Sequence, residues 1–205
     1  MLNKNIYREF HTYQEASEWG MSNYGKWLLL INNNNISMKE EDVAYLLSTY
    51  TGSMNIIYNQ FLRGYGDFDE SEIAEYTRDI NIIEKAICQY ELNENIIVHR
   101  YIHKKLLLYL FESKKPKVGE LFTDKGFVST TLVKSLLKDF AKMHHYNCIL
   151  KLYLPKGTKG VYINFEFSML NEEEFLLPPN MKFRLVKKYL NWDLKYIYEC
   201  ILENS

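Results

Sequence analysis

Residues 69–102 read DESEIAEYTRDINIIEKAICQYELNENIIVHRYI, and the spacing of the apolar residues changes within this stretch. Up to Tyr90 the apolar residues recur with alternating gaps of three and four, which is the period of one face of an α-helix. After Asn95 they form a short, nearly continuous run, Ile96–Ile102, which is typical of a β-strand. We therefore predict a helix between Asp69 and Tyr90, followed by a strand.

The chain before this stretch also has helical spacing. One stripe of apolar residues consists of Tyr13, Ala16, Trp19, Trp27 and Ile31. Residues 37–40, SMKE, have the form of a capping box, which predicts the start of a second helix. The apolar face of that helix consists of Val43, Leu46, Leu47 and Tyr50. A further short helix is expected after Gly52 and Ser53.

The chain after Asn95 consists of short β-rich segments bounded by turn residues. The predicted strands are Ile96–Ile102, Phe127–Thr131, Cys148–Leu154, Val161–Phe167, Glu174–Leu177, Phe183–Val186 and Leu194–Leu202. A helix from Leu132 to about His144 interrupts them, and the segments PKG at 155–157 and PPN at 178–180 predict tight reversals. Helices followed by strands indicate an α+β fold rather than a βαβ repeat. We expect one domain over 1–205, helical over about 1–92 and mainly β over about 93–205.

The composition limits the classes of function. Of the 205 residues, 47% are hydrophobic and 15% aromatic, which indicates a globular protein. A formal net charge of −1 provides no general attraction to nucleic acid or to anionic membranes, so neither is an expected partner. We find no signal peptide in the first residues and no apolar run long enough to span a bilayer. Three cysteines without CxxC spacing predict neither a disulfide framework nor a zinc site, and no metal is expected.

Three acids run directly into an apolar strand at residues 171–177, NEEEFLL. If Glu172 and Glu174 enter the strand, its period of two places their carboxylates on one face, roughly 6.5–7 Å apart, and Glu173 on the other. Two carboxylates on one face can act on one substrate. A solvated run of charge before a strand is the alternative interpretation, and this segment alone does not decide between the two.

Two further segments carry polar groups in apolar strands. Residues 125–131, KGFVSTT, place three hydroxyls after a glycine, although threonine also occurs in strands simply because it fits the pleated surface. Arg100 lies inside the run IVHRY at 97–101, and burying a guanidinium requires an anionic partner. That partner is either a carboxylate in a structural ion pair or a bound phosphate.

The order of these motifs, an arginine strand, then a Ser-Thr-Thr strand, then a Glu-x-Glu strand, resembles the toxin-like mono-ADP-ribosyltransferase exoenzyme family. The similarity extends over nearly the whole chain. Its other segments are Phe10, Glu15–Ala16, Trp19–Gly20, Tyr24, Tyr50–Gly52, Asn59–Gly64, FTDKGFVSTT at 122–131 and LPKGTKG at 154–160. The resemblance implies an ADP-ribosyltransferase fold, in which two antiparallel sheets pack around an NAD cleft and N-terminal helices cover one side.

The resemblance also implies roles for individual residues. Arg100 would bind the NAD phosphates, and Ser129 would hold Glu174, the catalytic acid, in position. The Glu174 carboxylate would stabilise the oxocarbenium-like ribosyl cation that forms when the nicotinamide–ribose bond breaks. The expected NAD-binding residues are Tyr50, Asn59, Arg63, Arg100, Ser129, Thr130, Phe140 and Glu174. The expected catalytic residues are Glu174, Glu172, Arg100 and Ser129, with NAD as the substrate.

Glu172 indicates the acceptor. An arginine guanidinium is a poor nucleophile while it keeps its proton, since its pKa is above about 12, and a carboxylate beside it can orient it and accept that proton. In this family Glu at this position accompanies arginine modification, and Gln accompanies modification of asparagine or glutamine. The resemblance therefore implies an NAD-dependent protein-arginine ADP-ribosyltransferase, similar to the catalytic domains of actin-modifying binary toxins. The alternatives are an NAD glycohydrolase, which needs Glu174 but not Glu172, and a catalytically silent NAD- or protein-binding relative.

The chain departs from the family pattern in sequence and in size. Thr131 stands where serine is usual, Tyr101 where many members have a second arginine, and Met143 where an arginine is expected. Actin-directed members usually carry an extra domain that docks to a translocation component, and this chain has instead the size of the single-domain Rho-modifying exoenzymes. We expect a monomeric, secreted bacterial virulence toxin that modifies a protein in the host cytosol, actin first among the candidates. The alternatives are a fragment of a larger toxin and, since this chain shows no signal peptide, a phage enzyme acting inside bacteria.

Overall fold

The computed structural model describes residues 3–32, 43–136, 142, 145–165, 172–192 and 195–203. Within these ranges the α-helices lie mainly in the first half of the chain. They are α1 (Tyr13–Asn32), α2 (Val43–Thr49), α3 (Asn55–Leu62), α4 (Glu70–Ile87) and α5 (Lys104–Leu110). A π-helical turn, Tyr50–Met54, joins α2 directly to α3. None of the helices in the described ranges is long and apolar enough to cross a bilayer.

Helix α4 confirms the helix predicted between Asp69 and Tyr90. Asp69 caps it, because its carboxylate accepts from the backbone amide of Glu72 and the Glu72 carboxylate accepts from the amide of Asp69, both at 2.9 Å. Of the apolar stripe, Tyr76, Ile80, Ile83 and Ile87 are buried, with Ile83 and Ile87 fully enclosed, whereas Ile73 is 43% exposed. Helices α1, α2 and α3 also lie where helices are expected. The capping box predicted at 37–40 falls outside the described residues.

The strands follow mainly in the second half. They are β1 (Arg8–Glu9), β2 (Ile96–Ile102), β3 (Leu121–Asp124), β4 (Val128–Thr131), β5 (Cys148–Leu154), β6 (Val161–Ile163), β7 (Glu174–Leu177), β8 (Met181–Leu190) and β9 (Tyr196–Leu202). Strands β2, β5 and β7 have the predicted bounds. The reversal at 155–157 is present, with Gly157 at a φ of 86°, and the reversal at 178–180 ends with Asn180 at a φ of 65°. The α+β interpretation is confirmed.

The strands form one hydrogen-bonded path in two halves. The order is β3-β8-β9-β5-β2-β4-β7-β6, and β1 pairs with the start of β2. Strands β2 and β4 share a single residue pair, His99 with Thr131, so the two expected sheets correspond to the halves on either side of this pair. The pairs β5 with β9 and β1 with β2 are parallel, where the resemblance implied antiparallel sheets. Thr131 also pairs with Glu174, so the junction brings Glu174 within two strands of Arg100.

Helix α1 packs against the second half of the sheet. The ring of Tyr162 on β6 occupies the space that a Cβ of Gly20 would fill, so only glycine permits this close approach. The indole of Trp27 donates to the Tyr162 carbonyl at 3.1 Å, and the Asn32 amide donates to the Asn164 carbonyl at 2.9 Å. These contacts fix the position of β6 against the helical part.

The structure differs from the sequence predictions in several elements. Strands β1 and β3 and helix α5 were not predicted, because two to seven residues are too short for either period to show. Strand β8 extends beyond Phe183–Val186, since pairing with β9 holds its exposed end. Strand β6 ends at Ile163, where the sequence predicted a strand as far as Phe167. Residues 166–167 of that predicted strand lie outside the described ranges.

The helix expected from Leu132 to about His144 does not begin at Leu132. The Leu132 amide donates to the Glu173 carbonyl at 2.9 Å, and Val133 forms a parallel bridge with Phe10. Residues 134–136 then form a turn. These long-range backbone bonds take precedence over the local helical period. Residues 137–141 and 143–144 lie outside the described ranges.

Candidate active site

Arg63, Arg100 and Asp124 form a cluster that we call the arginine side. Arg63 lies at the end of α3, Arg100 on β2 and Asp124 at the end of β3. The Asp124 carboxylate accepts from Arg63 Nε at 2.8 Å and Nη2 at 3.0 Å, and from Arg100 Nη1 at 3.1 Å. Asp124 thus bridges two arginines from different elements through charge-assisted hydrogen bonds.

The arginine side carries more positive than negative charge. Two guanidiniums share one carboxylate, and the three side chains are 9%, 13% and 2% exposed, in the order Arg63, Arg100 and Asp124. Burial lowers the pKa of Arg100 and the charge of Arg63 acts in the same direction, whereas Asp124 opposes both. An arginine stays protonated in this setting, so the cluster has an unbalanced positive charge that suits an anion.

Gly126 lies against the arginine side at the turn between β3 and β4. Its amide donates to Asp124 Oδ1 at 3.0 Å. A Cβ on this residue would lie 2.5 Å from Asn59 Oδ1 and 2.8 Å from Arg63 Nη2. The glycine of the hydroxyl motif is therefore required by close packing with α3.

Tyr50 and Asn59 connect this cluster to the carboxylates. The Asn59 amide donates to the Tyr50 hydroxyl at 3.3 Å, and within the described structure Asn59 Oδ1 is buried without a hydrogen-bond partner. Burial raises the pKa of Tyr50, the charge of Glu174 raises it further, and Arg100 and Arg63 act against them. The Tyr50 hydroxyl thus lies within electrostatic reach of Glu174 and of the two arginines.

Ser129, Glu172 and Glu174 form the second group, which we call the glutamate side. Glu174 is 8% exposed and its carboxylate is hydrogen bonded to the Ser129 side chain. Burial raises the pKa of Glu174 to about 7, the charge of Glu172 contributes to the increase, and Ser129 and Arg100 oppose it. Burial also raises the pKa of half-buried Glu172. The glutamate side therefore holds two carboxylates whose ionised forms are disfavoured.

Glu173 points away from these two carboxylates. The sequence predicted this by strand alternation, but β7 begins only at Glu174 and Glu173 has a φ of 47°. Its carboxylate is 1% exposed and accepts from the Tyr162 hydroxyl at 2.6 Å. The side chain of Glu173 therefore differs in direction from those of Glu172 and Glu174 because its backbone is left-handed, and not because it lies in a regular strand.

The other two hydroxyls of β4 hold the backbone of the glutamate segment. Thr130 Oγ1 donates to the Phe175 carbonyl at 2.6 Å, and Thr131 Oγ1 donates to the Glu172 carbonyl at 2.6 Å. Thr130 is buried and its hydroxyl joins β4 to β7 in this way, while its expected contact with NAD stays a prediction. Phe140, which is also an expected NAD contact, lies outside the described residues.

Sequence reasoning missed Asp124 and the partners of Glu173. The signal for Asp124 was present, because a buried Arg100 needed an anionic partner. A structural ion pair does exist, but the single Asp124 carboxylate neutralises only one of the two guanidinium charges. Within the described ranges, no group of three or more His, Cys, Asp or Glu side chains is placed to hold a metal ion.

Comparison with known sequences gives a family match and a relative. The sequence model described as ADP-ribosyltransferase exoenzyme matches residues 16–197. The Enterococcus faecalis protein NAD(+)–arginine ADP-ribosyltransferase EFV is 30% identical over 149 residues. The alignment covers 71% of this chain and 28% of that relative, so the chain spans only a little more than a quarter of the relative's length.

Solved structures share the fold. BECa, an ADP-ribosylating toxin of a C. perfringens binary enterotoxin solved with NADH, has a TM-score of 0.78 at 21% identity, covering 96% of this chain and 50% of that one. C3stau2 from S. aureus, solved with NAD, has a TM-score of 0.72 at 18% identity, covering 97% and 99%. At these identities the likeness concerns the fold, and the predicted ADP-ribosyltransferase fold is confirmed.

Proposed function

Because the chain belongs to the ADP-ribosyltransferase exoenzyme family, we propose that it cleaves NAD at the nicotinamide–ribose bond and transfers the ADP-ribose to an arginine of a target protein. The observation that carries this proposal is the Glu174 carboxylate. It is buried, bonded to Ser129, within electrostatic reach of Arg100, and two residues after Glu172. One site therefore combines a group for NAD cleavage, a group for the acceptor and a cationic anchor.

The residues of the arginine side fit the NAD pyrophosphate. Arg63 and Arg100 present guanidiniums from two elements, and Asp124 neutralises only one of their two charges. Guanidiniums bind phosphate oxygens through paired hydrogen bonds. Asn59 Oδ1, buried and without a partner in the described structure, is an acceptor for a hydroxyl or amide donor of the same ligand. We assign NAD binding to Arg63, Arg100, Asn59 and Tyr50.

Glu174 acts on the bond that breaks. The electron pair of the glycosidic bond leaves with nicotinamide, which becomes neutral, and the positive charge moves to the ribosyl C1′ and its ring oxygen. An ionised carboxylate next to that atom stabilises the cation in a site with little water. Because the pKa of Glu174 is about 7 in the free protein, the active ionised form increases as the pH rises through neutrality.

Glu172 acts on the acceptor. A guanidinium nitrogen attacks C1′, the new C–N bond forms, and Glu172 accepts the proton that the guanidinium loses. Burial raises the pKa of Glu172, which makes its carboxylate a stronger base. The Enterococcus faecalis relative is named as an arginine-modifying enzyme, and that similarity supports arginine as the acceptor here.

The remaining proposals concern the whole protein. We propose a single catalytic domain over 1–205, acting as a monomer on a host protein after secretion. Actin is the first target to test, because the Glu-x-Glu segment resembles that of actin-modifying toxins. BECa is part of a binary enterotoxin, and a separate translocation component is the corresponding proposal for this chain.

The test compares wild type with Glu172→Gln and Glu174→Gln, using labelled NAD, purified actin and a host-cell lysate. Wild type should label a discrete protein, Glu172→Gln should lose labelling but keep NAD hydrolysis, and Glu174→Gln should lose both by about 10²–10³-fold. Glu203→Gln, which lies at the surface in an ion pair with Arg184, is the matched control and should behave as wild type.

Each unexpected result has a separate meaning. Undiminished NAD cleavage in Glu174→Gln would contradict the mechanism. Labelling that survives Glu172→Gln would remove the acceptor role of Glu172. A wild-type protein that hydrolyses NAD without labelling any protein would indicate the glycohydrolase instead.

A further inference from the structure

Glu173 occupies an unfavourable position between the two proposed working carboxylates. Its φ of 47° is in the left-handed region, which is unfavourable for a residue other than glycine. Its carboxyl group is 1% exposed, and burial raises its pKa. Glycine or asparagine would relieve the backbone cost, and a small side chain would avoid the burial. A residue that is unfavourable in both respects, at a site of this kind, calls for a role.

The Glu173 side chain is held by β6. The Tyr162 hydroxyl donates to Oε2 at 2.6 Å, and the Asn164 amide lies 3.5 Å from Oε1 and 3.2 Å from the Tyr162 hydroxyl. Tyr162 is completely buried. The anchor therefore consists of one acid and two donors that contact each other.

Helix α1 holds this anchor in turn. Trp27 donates to the Tyr162 carbonyl, Asn32 donates to the Asn164 carbonyl, and Gly20 leaves space for the Tyr162 ring. None of these residues belongs to the arginine side or the glutamate side. The chain of contacts thus runs from the N-terminal helix to the residue between Glu172 and Glu174.

The backbone on either side of the anchor is also fixed. The Glu172 carbonyl accepts from Thr131 Oγ1 at 2.6 Å, and the Glu173 carbonyl accepts from the Leu132 amide at 2.9 Å. These bonds tie the segment to β4, but they leave the direction of its side chains to the dihedral angles. The Tyr162–Glu173 hydrogen bond holds the side chain of Glu173 while its backbone is left-handed, and Glu172 directly precedes this residue.

We propose that Glu173 is a positioning residue: anchored by Tyr162 and Asn164, it directs Glu172 toward the acceptor and so determines how NAD cleavage is divided between protein modification and hydrolysis. This inference rests on the proposed function. It assigns no chemical step to Glu173, and NAD cleavage itself depends on Glu174, which β7 and Ser129 hold independently.

The experiment measures transfer to an arginine acceptor and NAD hydrolysis in the same reaction, together with the thermal unfolding midpoint. The variants are Glu173→Ala, Glu173→Gln and Tyr162→Phe. Glu173→Ala and Tyr162→Phe should lower the ratio of transfer to hydrolysis by about tenfold, since a small misplacement of a positioned group has a large effect on rate. Glu173→Gln should keep the ratio near that of wild type, because its amide oxygen can still accept from Tyr162.

Tyr153→Phe is the matched control. Tyr153 is also a buried tyrosine whose hydroxyl donates to a buried glutamate, Glu199 Oε2 at 3.0 Å, but it lies on β5 away from the site. It should lower the unfolding midpoint about as much as Tyr162→Phe and leave the ratio unchanged. Tyr162→Phe, which removes a single oxygen, provides the ratio if Glu173→Ala does not fold.

The outcomes separate this inference from the proposed function. If wild type transfers but Tyr162→Phe keeps the wild-type ratio of transfer to hydrolysis, whether or not both rates fall, the positioning role is overturned and the transferase remains. If wild type cleaves NAD without any transfer, the transferase proposal fails, and this inference fails with it because there is no transfer for Glu173 to direct.

Discussion

The arginine side and the glutamate side differ in how fully hydrogen bonds and ion pairs hold their charged groups. On the arginine side, Asp124 is bonded to both guanidiniums, and four hydrogen bonds, including the one from Gly126, hold its carboxylate. On the glutamate side, the Glu174 carboxylate has the Ser129 hydroxyl, and the charge of Glu172 raises its pKa. The first group is therefore arranged in advance, while the second holds acids whose charged forms are disfavoured.

This contrast fits the two tasks proposed for the groups. An anchor for phosphate works best when its cations are already oriented, because no reorganisation is then needed on binding. A carboxylate that must stabilise a transient cation works best when its charge is poorly satisfied before the reaction. The raised pKa values of Glu172 and Glu174 therefore agree with the catalytic task proposed for the glutamate side.

The largest effect should come from removing the shared carboxylate. Asp124→Asn leaves Arg63 and Arg100 with uncompensated buried charge, so we expect the free energy of unfolding to fall by about 3 kcal/mol. Inorganic sulfate should stabilise this variant more than wild type, since an anion can replace the lost charge. Chemical denaturation with and without sulfate measures both effects.

The control for this prediction is Asp79→Asn. Asp79 is equally buried and accepts from the Tyr58 hydroxyl, but its cationic partner, Arg78, is largely exposed. Its loss should be smaller and independent of sulfate. If both variants lost the same free energy of unfolding, the Asp124 carboxylate would stabilise the two arginines no more than Asp79 stabilises its own partners.

A smaller effect of opposite sign is expected on the glutamate side. The pKa of Glu174 is raised from its ordinary value of 4.5 to about 7 in the folded protein, so the ionised form destabilises the fold as the pH rises between these values. Glu174→Gln should therefore stabilise the protein by about 1–3 kcal/mol near pH 8 and much less near pH 5. Thermal unfolding as a function of pH measures this, and a variant less stable than wild type at pH 8 would contradict the contrast.

The smallest effects are expected on the pKa of Glu174, from its two neighbours on the glutamate side. The charge of Glu172 raises the pKa of Glu174 and the Ser129 side chain lowers it. Glu172→Gln should shift the acidic limb of the NAD-hydrolysis rate to lower pH, and Ser129→Ala should shift it to higher pH, each by less than about one unit. Shifts in the same direction in both variants would show that these two neighbours do not control Glu174 as the structure indicates.

The features that could be predicted from the amino-acid sequence are those that depend on neighbours along the chain. The three-and-four spacing before Tyr90 predicted α4, and apolar runs predicted β2, β5 and β7 with their observed bounds. The order of Arg100, Ser129 and Glu174 was sufficient to indicate the family and its fold. Local period and motif order are readable because they do not require any knowledge of which strands are adjacent.

Which side chains meet depends on how the strands and helices pack against one another. Asp124 bonds to Arg63 and Arg100 across 61 and 24 residues of sequence, and no local period encodes such a pairing. The helix expected to begin at Leu132 gives way to bonds with Glu173 and Phe10 for the same reason. Glu173 looked like one acid in a charged run, and the adjacency of β6 and β7 placed it on Tyr162. Contacts made across strands and helices, rather than the residue types alone, distinguish the three glutamates and support the roles proposed for Glu174 in cleavage, Glu172 at the acceptor and Glu173 as an anchor.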